Sequence, residues 1–464
     1  GHLHIGNART ALFNYLFAKK YNGTFILRVE DTDQTRFVEG AEQYIVDCLA
    51  WCGIKVDESP ALGGPYGPYR QSDRKPMYRQ YAEQLVAQGD AYYAFDTPEE
   101  LEAMRENFKT PENPSPQYDM KTRGQMRNSL SLSEAEVKAL IDAGTPYVIR
   151  IKMPENDVIS FTDIIRGPIS NDTNLLDDKV ILKSNGMPTY HIAVVVDDYL
   201  MKVTHIFRGE EWLPSAPLHV LLWKKLGWEA EMAQFGHLPL ILKPDGNGKL
   251  SKRDGERLGF PVFAMDWKDP KTEEQTIGFK ERGFLPDAFL NMLAFLGWHP
   301  GTEQEIFSLA ELEQAFSVER ISKSGAKFDY EKAKWFNAQH IHQADNATLA
   351  PLVLPFLQNV GIEAENNATL ETVIGLVKDR CQLLADFVAQ AGFFYRAPKK
   401  IDVDSIKGKW TPEKTAFFQN WMGEFANITP WNHEAINASF EAAVAASGIK
   451  KGELMMPLRI MLVG

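Results

Sequence analysis

Two short stretches decide the fold: His4-Ile5-Gly6-Asn7 at the start of the chain, and Lys249-Leu250-Ser251-Lys252-Arg253 just past its middle. Each stretch is weak evidence alone. An isolated His-x-Gly usually belongs to an ordinary glycine-containing loop, and an isolated pair of lysines usually belongs to a solvated basic loop. In this order and at this separation, the two stretches together favour a phosphate-binding site.

Composition and charge limit the number of domains, the compartment and the classes of partner. A chain of 464 residues is too long for one ordinary core, so we expect two to four domains. Three cysteines are too few for a disulfide framework, which indicates a reducing compartment. No apolar run approaches the ~20 residues that span a bilayer. The net charge of −12 argues against indiscriminate nucleic-acid binding, although local basic patches can still meet an RNA.

The first stretch precedes a predicted helix. Apolar residues recur at helical spacing over residues 7–20, and Asn7 is a suitable N-cap. The N–H groups at a helix N-terminus favour phosphate. Gly6 would let a flat base approach the backbone closely, and His4 can donate a hydrogen bond to a phosphate oxygen as charge builds up there.

A predicted strand over Thr24–Val29 runs into an acidic cluster that begins with Glu30. Ligands of α/β sheets bind at the carboxyl ends of the strands. Glu30 is therefore a candidate to bind a cation such as a substrate ammonium, whereas Asp33 is equally explained as the cap of the next helix.

The predicted sheet continues after a mixed region. Strands are expected at Val180–Lys183, at Ile192–Val196, where consecutive apolar positions are typical of a strand buried on both faces, and at Thr204–Phe207. Arg208 follows the last strand and can bind a carboxylate with two parallel hydrogen bonds. The alternative is an Arg–Glu ion pair that closes a loop.

The second stretch lies in a glycine-rich loop. Lys249 and Lys252 can converge on a triphosphate and neutralise the leaving pyrophosphate. Flexibility at residues 245–248 would let the loop close on a nucleotide and reopen. From residue 275 onward the pattern is helical, with amphipathic helices expected at 349–360, 371–390 and 412–425, and without the strand-turn-strand series of a β-barrel.

The two stretches, together with Leu27-Arg28-Val29-Glu30-Asp31-Thr32-Asp33, closely resemble the glutamyl-tRNA synthetases, a bacterial-type family of class I aminoacyl-tRNA synthetases. The resemblance covers essentially the whole chain and is closest at 1–85 and 180–255. It implies an α/β fold: a Rossmann-like parallel sheet, an inserted α+β acceptor-stem domain and an all-α C-terminal anticodon-binding region. The domains implied are 1–89 and 181–255 (catalytic), 90–180 (inserted), 256–345 (helical, stem-contacting) and 346–464 (anticodon-binding).

The resemblance also implies the activity and the residues that perform it. Glutamate would be activated by ATP to glutamyl-adenylate and transferred to the terminal adenosine of tRNA-Glu. The catalytic residues implied are His4, Lys249 and Lys252. The ATP site would add Gly6, Glu211, Leu240, Ile241, Ser251 and Arg253, with Leu240 and Ile241 acting through their backbones. The glutamate site would comprise Glu30, Tyr190, His191 and Arg208, and the anticodon site Arg380 and Arg459.

Cofactors and partners follow from the same resemblance. ATP with Mg²⁺ is expected, and L-glutamate and tRNA-Glu are the expected partners of a cytoplasmic monomer that has no membrane segment. Some relatives hold zinc near the start of the inserted domain, but the matching stretch Ala91–Asp96 has no cysteine, so no zinc is expected. We expect the chain to be trimmed at both ends, because the family's upstream Arg and Ser that help bind glutamate are not in it.

Four other functions fit parts of this sequence. Glutaminyl enzymes of this subclass end in β-barrels, which the helical pattern disfavours. A glutamyl transferase that modifies a tRNA nucleotide would lack residues beyond about 300. A catalytically silent RNA-binding paralogue is disfavoured by the intact His4, Glu30 and motif lysines. A nucleotidyltransferase that makes a dinucleotide cofactor would need neither the helical region nor Glu30 and Arg208.

Overall fold

The structure is a computed structural model that describes residues 3–398 and 400–464. The chain divides into two compact units, Gly1–His340 and Ile341–Gly464. Within the described residues, we find no helix that has both the length and the apolar character needed to cross a bilayer.

The helices run in chain order as α1 (Ile5–Lys20), α2 (Ala41–Trp51), α3 (Lys75–Ala87), α4 (Pro98–Asn107), α5 (Glu134–Asp142), α6 (Tyr190–Leu200), α7 (Ala216–Lys225), α8 (Lys252–Leu258), α9 (Pro286–Phe295), α10 (Leu309–Ala315), α11 (Tyr330–Gln343), α12 (Asn346–Asn359), α13 (Ala368–Val377), α14 (Phe387–Ala391), α15 (Asp404–Lys407), α16 (Pro412–Gly423), α17 (His433–Ser447) and α18 (Lys451–Val463). The strands are β1 (Ala91–Ala94), β2 (Val148–Ile151), β3 (Val158–Asp163), β4 (Gly167–Asp172), β5 (Val180–Leu182), β6 (His205–Gly209), β7 (Gln234–Leu238), β8 (Ile241–Leu242), β9 (Trp267–Lys268), β10 (Gln275–Thr276) and β11 (Ala326–Lys327).

Parallel pairing in the first unit confirms the predicted α/β class. β6 pairs with β7 in parallel, from His205 opposite Gln234 to Gly209 opposite Leu238. β8 pairs with β11 in the same sense. Helices α3, α6 and α7 pack around a shared core that includes Tyr78, Ile192 and Trp223. The elements therefore place the C-terminal end of β6 beside the first turn of α6.

The predicted strand at Thr24–Val29 is wrong as a continuous strand. Only Ile26 and Val29 form parallel bridges, to Glu58 and Arg70. A cavity of about 1140 Å³ lies between this segment and β6. On the β6 side, the Asn14 side chain bonds both the N–H and the carbonyl of Phe207.

The predicted strand at Ile192–Val196 is also wrong, because this run forms the middle of helix α6. All five of its residues are buried. A helix buried on every side has the same consecutive apolar pattern as a buried strand, so periodicity could not separate the two. Tyr190 and His191 therefore lie in the first turn of a helix and not on a turn before a strand.

Two further expectations need correction. β5 pairs antiparallel with β2, in a three-stranded sheet ordered β1-β2-β5, so the parallel sheet does not resume at Val180. Helix α1 begins at Ile5, and its N-cap is His4 where Asn7 was predicted. The imidazole of His4 takes the capping role because its Nδ1 accepts from the Gly6 N–H.

The second unit is helical throughout its described residues, 341–398 and 400–464, which confirms the all-α expectation. The single helix predicted over 371–390 is wrong: α13 ends at Val377, a 3₁₀ turn covers Lys378–Arg380, and α14 begins at Phe387. One core cluster packs Phe417, Trp421 and Phe440 of α16 and α17 against α18.

Candidate functional site

His4 presents a hydrogen-bond donor at the N-terminus of α1. Its Nδ1 accepts from the Gly6 N–H at 3.1 Å, so the proton of the neutral ring must sit on Nε2. That Nε2 is buried and has no hydrogen-bond partner among the described residues. Burial, followed by the nearby charge of Lys249, lowers the pKa of His4 to about 4. At neutral pH the ring is therefore an uncharged, fixed N–H donor with its partner position open.

Lys249 lies close enough to His4 to influence its titration, so the structure brings the two predicted motifs together. The Lys249 Nζ donates to Glu211 Oε1 at 2.6 Å. Burial acts to raise the pKa of Glu211, but the hydrogen bond and charge of Lys249, a backbone hydrogen bond and the charge of Arg9 together outweigh it and the pKa is lowered. Three of the predicted ATP-site side chains thus lie near one another, with one cation already paired to one carboxylate.

Lys252 and Ser251 begin helix α8. The Ser251 Oγ caps this helix by accepting from the Asp254 N–H, and the Asp254 carboxylate accepts from the Ser251 N–H in return. Lys252 Nζ donates to Glu274 Oε2 at 3.2 Å, and Arg253 is exposed. Both motif lysines therefore hold carboxylate partners that a triphosphate would have to replace.

The loop of the second motif is tied to the first motif through residues 262–263. A methyl group on Gly255 would come within 2.5 Å of the Val262 side chain, which shows how closely α8 packs on this segment. The Val262 carbonyl accepts from the Ile5 N–H at 2.9 Å, and Phe263 forms a bridge with His4. Helix α8 therefore packs on the same segment that bonds Ile5 and His4.

Arg9, which sequence reasoning missed, holds the residue that precedes the predicted ATP-site residues Leu240 and Ile241. It is buried, and its guanidinium donates to the carbonyls of Pro239 and Leu296. The adjoining Leu240 N–H donates to Glu210 Oε1, and the Leu240 carbonyl accepts from the Ala326 N–H. Both backbone groups of Leu240 thus have protein partners, while the carbonyl keeps a second lone pair for a ligand.

Arg208 and Tyr190 meet in a buried pocket. The guanidinium uses its Nη1 to donate to the Tyr190 hydroxyl at 3.2 Å and to His219 Nδ1 at 3.1 Å, and its Nε to donate to His237 Nε2 at 3.0 Å. The Nη2 is buried without a partner in the described part of the chain. Of the five N–H groups of the arginine, the two on Nη2 are therefore unused.

Glu30 lies near Tyr190, whose hydroxyl accepts from this cation. Its charge, second to burial, helps raise the pKa of Tyr190 to about 12, which places the carboxylate near that hydroxyl. Arg28 bonds Glu30 Oε1 at 2.8 Å and Asp198 Oδ1 at 2.8 Å, so it holds the Glu30 carboxylate in place. A buried, unpaired guanidinium edge and a carboxylate near the same tyrosine suit a ligand that carries both charges.

Three buried residues behind Arg208 were not found from the sequence. His237 donates from Nδ1 to Asp163 Oδ2 at 2.6 Å, and His219 Nε2 bonds His191 Nδ1 at 3.1 Å. Asp163, His219 and His237 stand far apart in the chain, on β3, α7 and β7. No local motif marks them, so only the fold could bring them together.

The two predicted anticodon residues are both exposed. Arg380 lies in the 3₁₀ turn after α13, and Arg459 lies on α18. Within the described residues, no cluster of three or more His, Cys, Asp or Glu side chains has the geometry to hold a metal ion.

Comparison with known proteins identifies the family. A model described as "tRNA synthetases class I (E and Q), catalytic domain" matches residues 1–335, where E and Q are the symbols of glutamate and glutamine. The chain belongs to the class I tRNA synthetases. A second model, "Anticodon binding domain", matches residues 348–464.

Similar synthetases match over the whole chain. The glutamate–tRNA ligase of Cytophaga hutchinsonii is 51% identical over 465 residues, which cover 100% of this chain and 90% of the relative. That of Porphyromonas gingivalis is 51% identical over 469 residues with the same coverage. The crystal structure of the glutamate tRNA ligase from Elizabethkingia meningosepticum in complex with its amino acid superposes with a TM-score of 0.94 at 46% identity, covering 100% of this chain and 91% of that one.

Class I tRNA synthetases use ATP, which supplies the ligand class for the phosphate site predicted from His4 and the motif lysines. The fold and family expectations are therefore confirmed. The roles of individual residues stay predictions that rest on the geometry above.

Proposed function

We propose that the chain is a glutamate–tRNA ligase, which activates L-glutamate with ATP and transfers it to the 3′-terminal adenosine of tRNA-Glu. Full-length likeness to enzymes of that name supports the reaction. The observation that carries the amino-acid assignment is the unpaired, buried Nη2 of Arg208, together with the Glu30 carboxylate near its partner Tyr190. Glutamate is an amino acid whose side chain ends in a carboxylate, and it carries an ammonium group for Glu30.

The pocket binds glutamate at both ends. Arg208 Nη2 and the Tyr190 hydroxyl donate to a carboxylate of the substrate, and a guanidinium edge suits two parallel hydrogen bonds. Glu30 accepts from the α-ammonium, and His191 forms part of the wall. With charges matched at two points, the α-carboxylate is left to face the nucleotide.

Activation relies on positioning and charge stabilisation. The α-carboxylate of glutamate attacks the α-phosphorus of ATP, forming the mixed anhydride and releasing pyrophosphate. His4 donates its Nε2–H to a phosphate oxygen, while Lys249 and Lys252 exchange their carboxylate partners for the β- and γ-phosphates. Gly6, Ser251 and Arg253 complete the phosphate site, Glu211 contacts ATP, and Leu240 and Ile241 flank the adenine.

Mg²⁺ is expected to accompany ATP and to be held chiefly by its phosphates, since such ions are commonly bound through substrate oxygens and one or two carboxylates. It neutralises phosphate charge when bound. The absence of zinc, the monomeric state and the cytoplasmic location stay predictions. So do the five domain bounds and the anticodon roles of Arg380 and Arg459, whose exposed guanidinium groups can read a base edge or a phosphate.

The proposal is tested by following labelled glutamate and labelled glutamine onto purified tRNA-Glu and tRNA-Gln, with ATP and Mg²⁺ present. We expect glutamate to be attached to tRNA-Glu. Arg208→Gln should raise the KM for glutamate by about tenfold to a hundredfold, because a charge-assisted pair is lost, while the exposed control Arg282→Gln should not change it. A folded protein that charges neither tRNA would favour a silent RNA-binding paralogue.

A further inference from the structure

A buried hydrogen-bond network extends from the Arg208 guanidinium toward His237 on one side and toward His219 on the other. On one side Arg208 Nε donates to His237 Nε2, and His237 donates from Nδ1 to Asp163. On the other side Arg208 Nη1 reaches His219 Nδ1, and His219 bonds His191. Asp163, His219 and His237 are each at most 1% exposed.

The chemistry of arginine fixes every proton in this network. Arginine can only donate, so the nitrogen that it meets on each histidine must be a lone pair. His237 therefore carries its proton on Nδ1, toward Asp163. His219 carries its proton on Nε2 and donates to His191 Nδ1, which leaves the His191 proton on Nε2. Asp163 anchors one end, because it also accepts the backbone N–H groups of Ile165, Arg166 and His237.

Both ring acceptors next to the guanidinium are consequently occupied. His237 Nε2 and His219 Nδ1 each bind Arg208 and have no lone pair left for a ligand. The Tyr190 oxygen already accepts from Arg208, so its own O–H points elsewhere as a donor. At the Arg208 end of the pocket, the groups that remain for a ligand carboxylate are the donors Arg208 Nη2 and the Tyr190 O–H.

We propose that Asp163, His237 and His219 are positioning residues that orient the Arg208 guanidinium and occupy the ring-nitrogen acceptors beside it, so that the Arg208 end of the amino-acid pocket offers donors to a substrate carboxylate. This inference rests on the function proposed above and extends it to the choice between glutamate and glutamine. A carboxylate accepts from every donor of such a pocket. The amide of glutamine would place an NH₂ group against fixed donors, and the unmade bonds are costly in a buried site.

Paired amide substitutions test the orientation directly. An asparagine amide reaches the position of a histidine Nδ1, and a glutamine amide reaches that of Nε2. At His237 the acceptor for Arg208 is Nε2, so His237→Gln preserves it and His237→Asn removes it. At His219 the acceptor is Nδ1, so the order reverses: His219→Asn preserves it and His219→Gln removes it.

The readouts are the affinities of L-glutamate and L-glutamine by calorimetry, with charging of tRNA-Glu and the KM for ATP measured in parallel. We expect His237→Asn and His219→Gln to weaken the binding of glutamate by roughly tenfold to a hundredfold. The ratio of the glutamate affinity to the glutamine affinity should fall in both variants. Their partners His237→Gln and His219→Asn should stay within about threefold of the wild type, and the KM for ATP should hold in all four.

The alternatives give different results. If the residues only fill space, the two substitutions at each position will rank by volume and stability, and the reversal between His237 and His219 will be absent, which overturns the inference. Melting temperatures identify variants that fail to fold, and the two positions serve as independent replicates. A wild type that binds glutamate but charges no tRNA would refute the proposed ligase activity while leaving the positioning result intact.

Discussion

Substitutions of His4 can separate two roles of its imidazole ring, the capping of helix α1 and the donation of a hydrogen bond to a ligand. Nδ1 accepts from the Gly6 N–H and caps α1, whereas Nε2 points its proton at an open position. His4→Asn keeps an acceptor at the Nδ1 position and loses the distal donor. His4→Gln does the opposite, because its amide nitrogen reaches the Nε2 position but leaves Gly6 uncapped.

The magnitudes follow from these two bonds. Loss of an N-cap costs about 0.5–2 kcal/mol of stability. Loss of one donor to developing phosphate charge costs about 10²–10³ in rate, or roughly 2.7–4 kcal/mol, by comparison with other oxyanion sites. We therefore expect His4→Asn to fold with nearly unchanged stability and to form adenylate about 10²–10³ more slowly. His4→Gln should be less stable by about 1 kcal/mol but closer to the wild type in rate.

Single-turnover formation of glutamyl-adenylate in the presence of tRNA-Glu measures the rate, and urea unfolding measures stability. His4→Ala, which loses both bonds, is the reference for the combined effect. A His4→Asn enzyme within threefold of the wild-type rate would refute the donor role. Equal stability of the Asn and Gln variants would refute the capping role.

Three further predictions concern the same site. Gly6→Ala should fold normally, since the added methyl would make only an ordinary 3.5 Å contact with His4 Nδ1. The KM for ATP should nevertheless rise about tenfold, because the methyl stands where the nucleotide approaches. An unchanged KM for ATP would show that ATP lies elsewhere. Lys252→Ala should depress adenylate formation far more than tRNA affinity, whereas the exposed control Lys268→Ala should alter neither; equal losses of rate and tRNA affinity would contradict the role. The difference in stability between wild type and His4→Asn should depend on pH: burial and Lys249 lower the pKa of His4 from its ordinary 6.5 to about 4, so the unfolded chain binds the extra proton between these values. The two proteins should be nearly equal in stability above pH 6.5, and the wild type should become the less stable of the two as the pH falls toward 4; urea titrations at pH 7.5 and pH 5 that give the same difference would refute the burial of a neutral ring.

Residues that were predicted for one site lie together in the fold, whereas some of the elements that carry them were predicted wrongly. The family resemblance assigned His4, Lys249 and Glu211 to one site, and the fold brings Lys249 near His4 and bonds it to Glu211. Tyr190 and Arg208 are hydrogen-bonded to each other. The element that follows Tyr190 was predicted wrongly, because a consecutive apolar run does not distinguish the buried helix α6 from a buried strand.

The residues that hold the site in place could not be predicted at all. Arg9 reaches the carbonyls of Pro239 and Leu296, and Asp163 reaches His237. Each contact joins residues widely separated in the chain, and no spacing rule encodes such contacts. A buried arginine or histidine at an apolar helix face is equally compatible with structural and functional roles until its partners are known.

This pocket is expected to select an amino acid by its side-chain carboxylate. Mass measurement of the charged product tests that selection most directly. The enzyme is given glutamate and glutamine together with ATP, Mg²⁺ and tRNA-Glu, and the aminoacyl-adenosine released by nuclease is weighed. We expect glutamyl-adenosine from the wild type, and its loss in Arg208→Gln. Glutaminyl-adenosine as the main wild-type product would contradict the account.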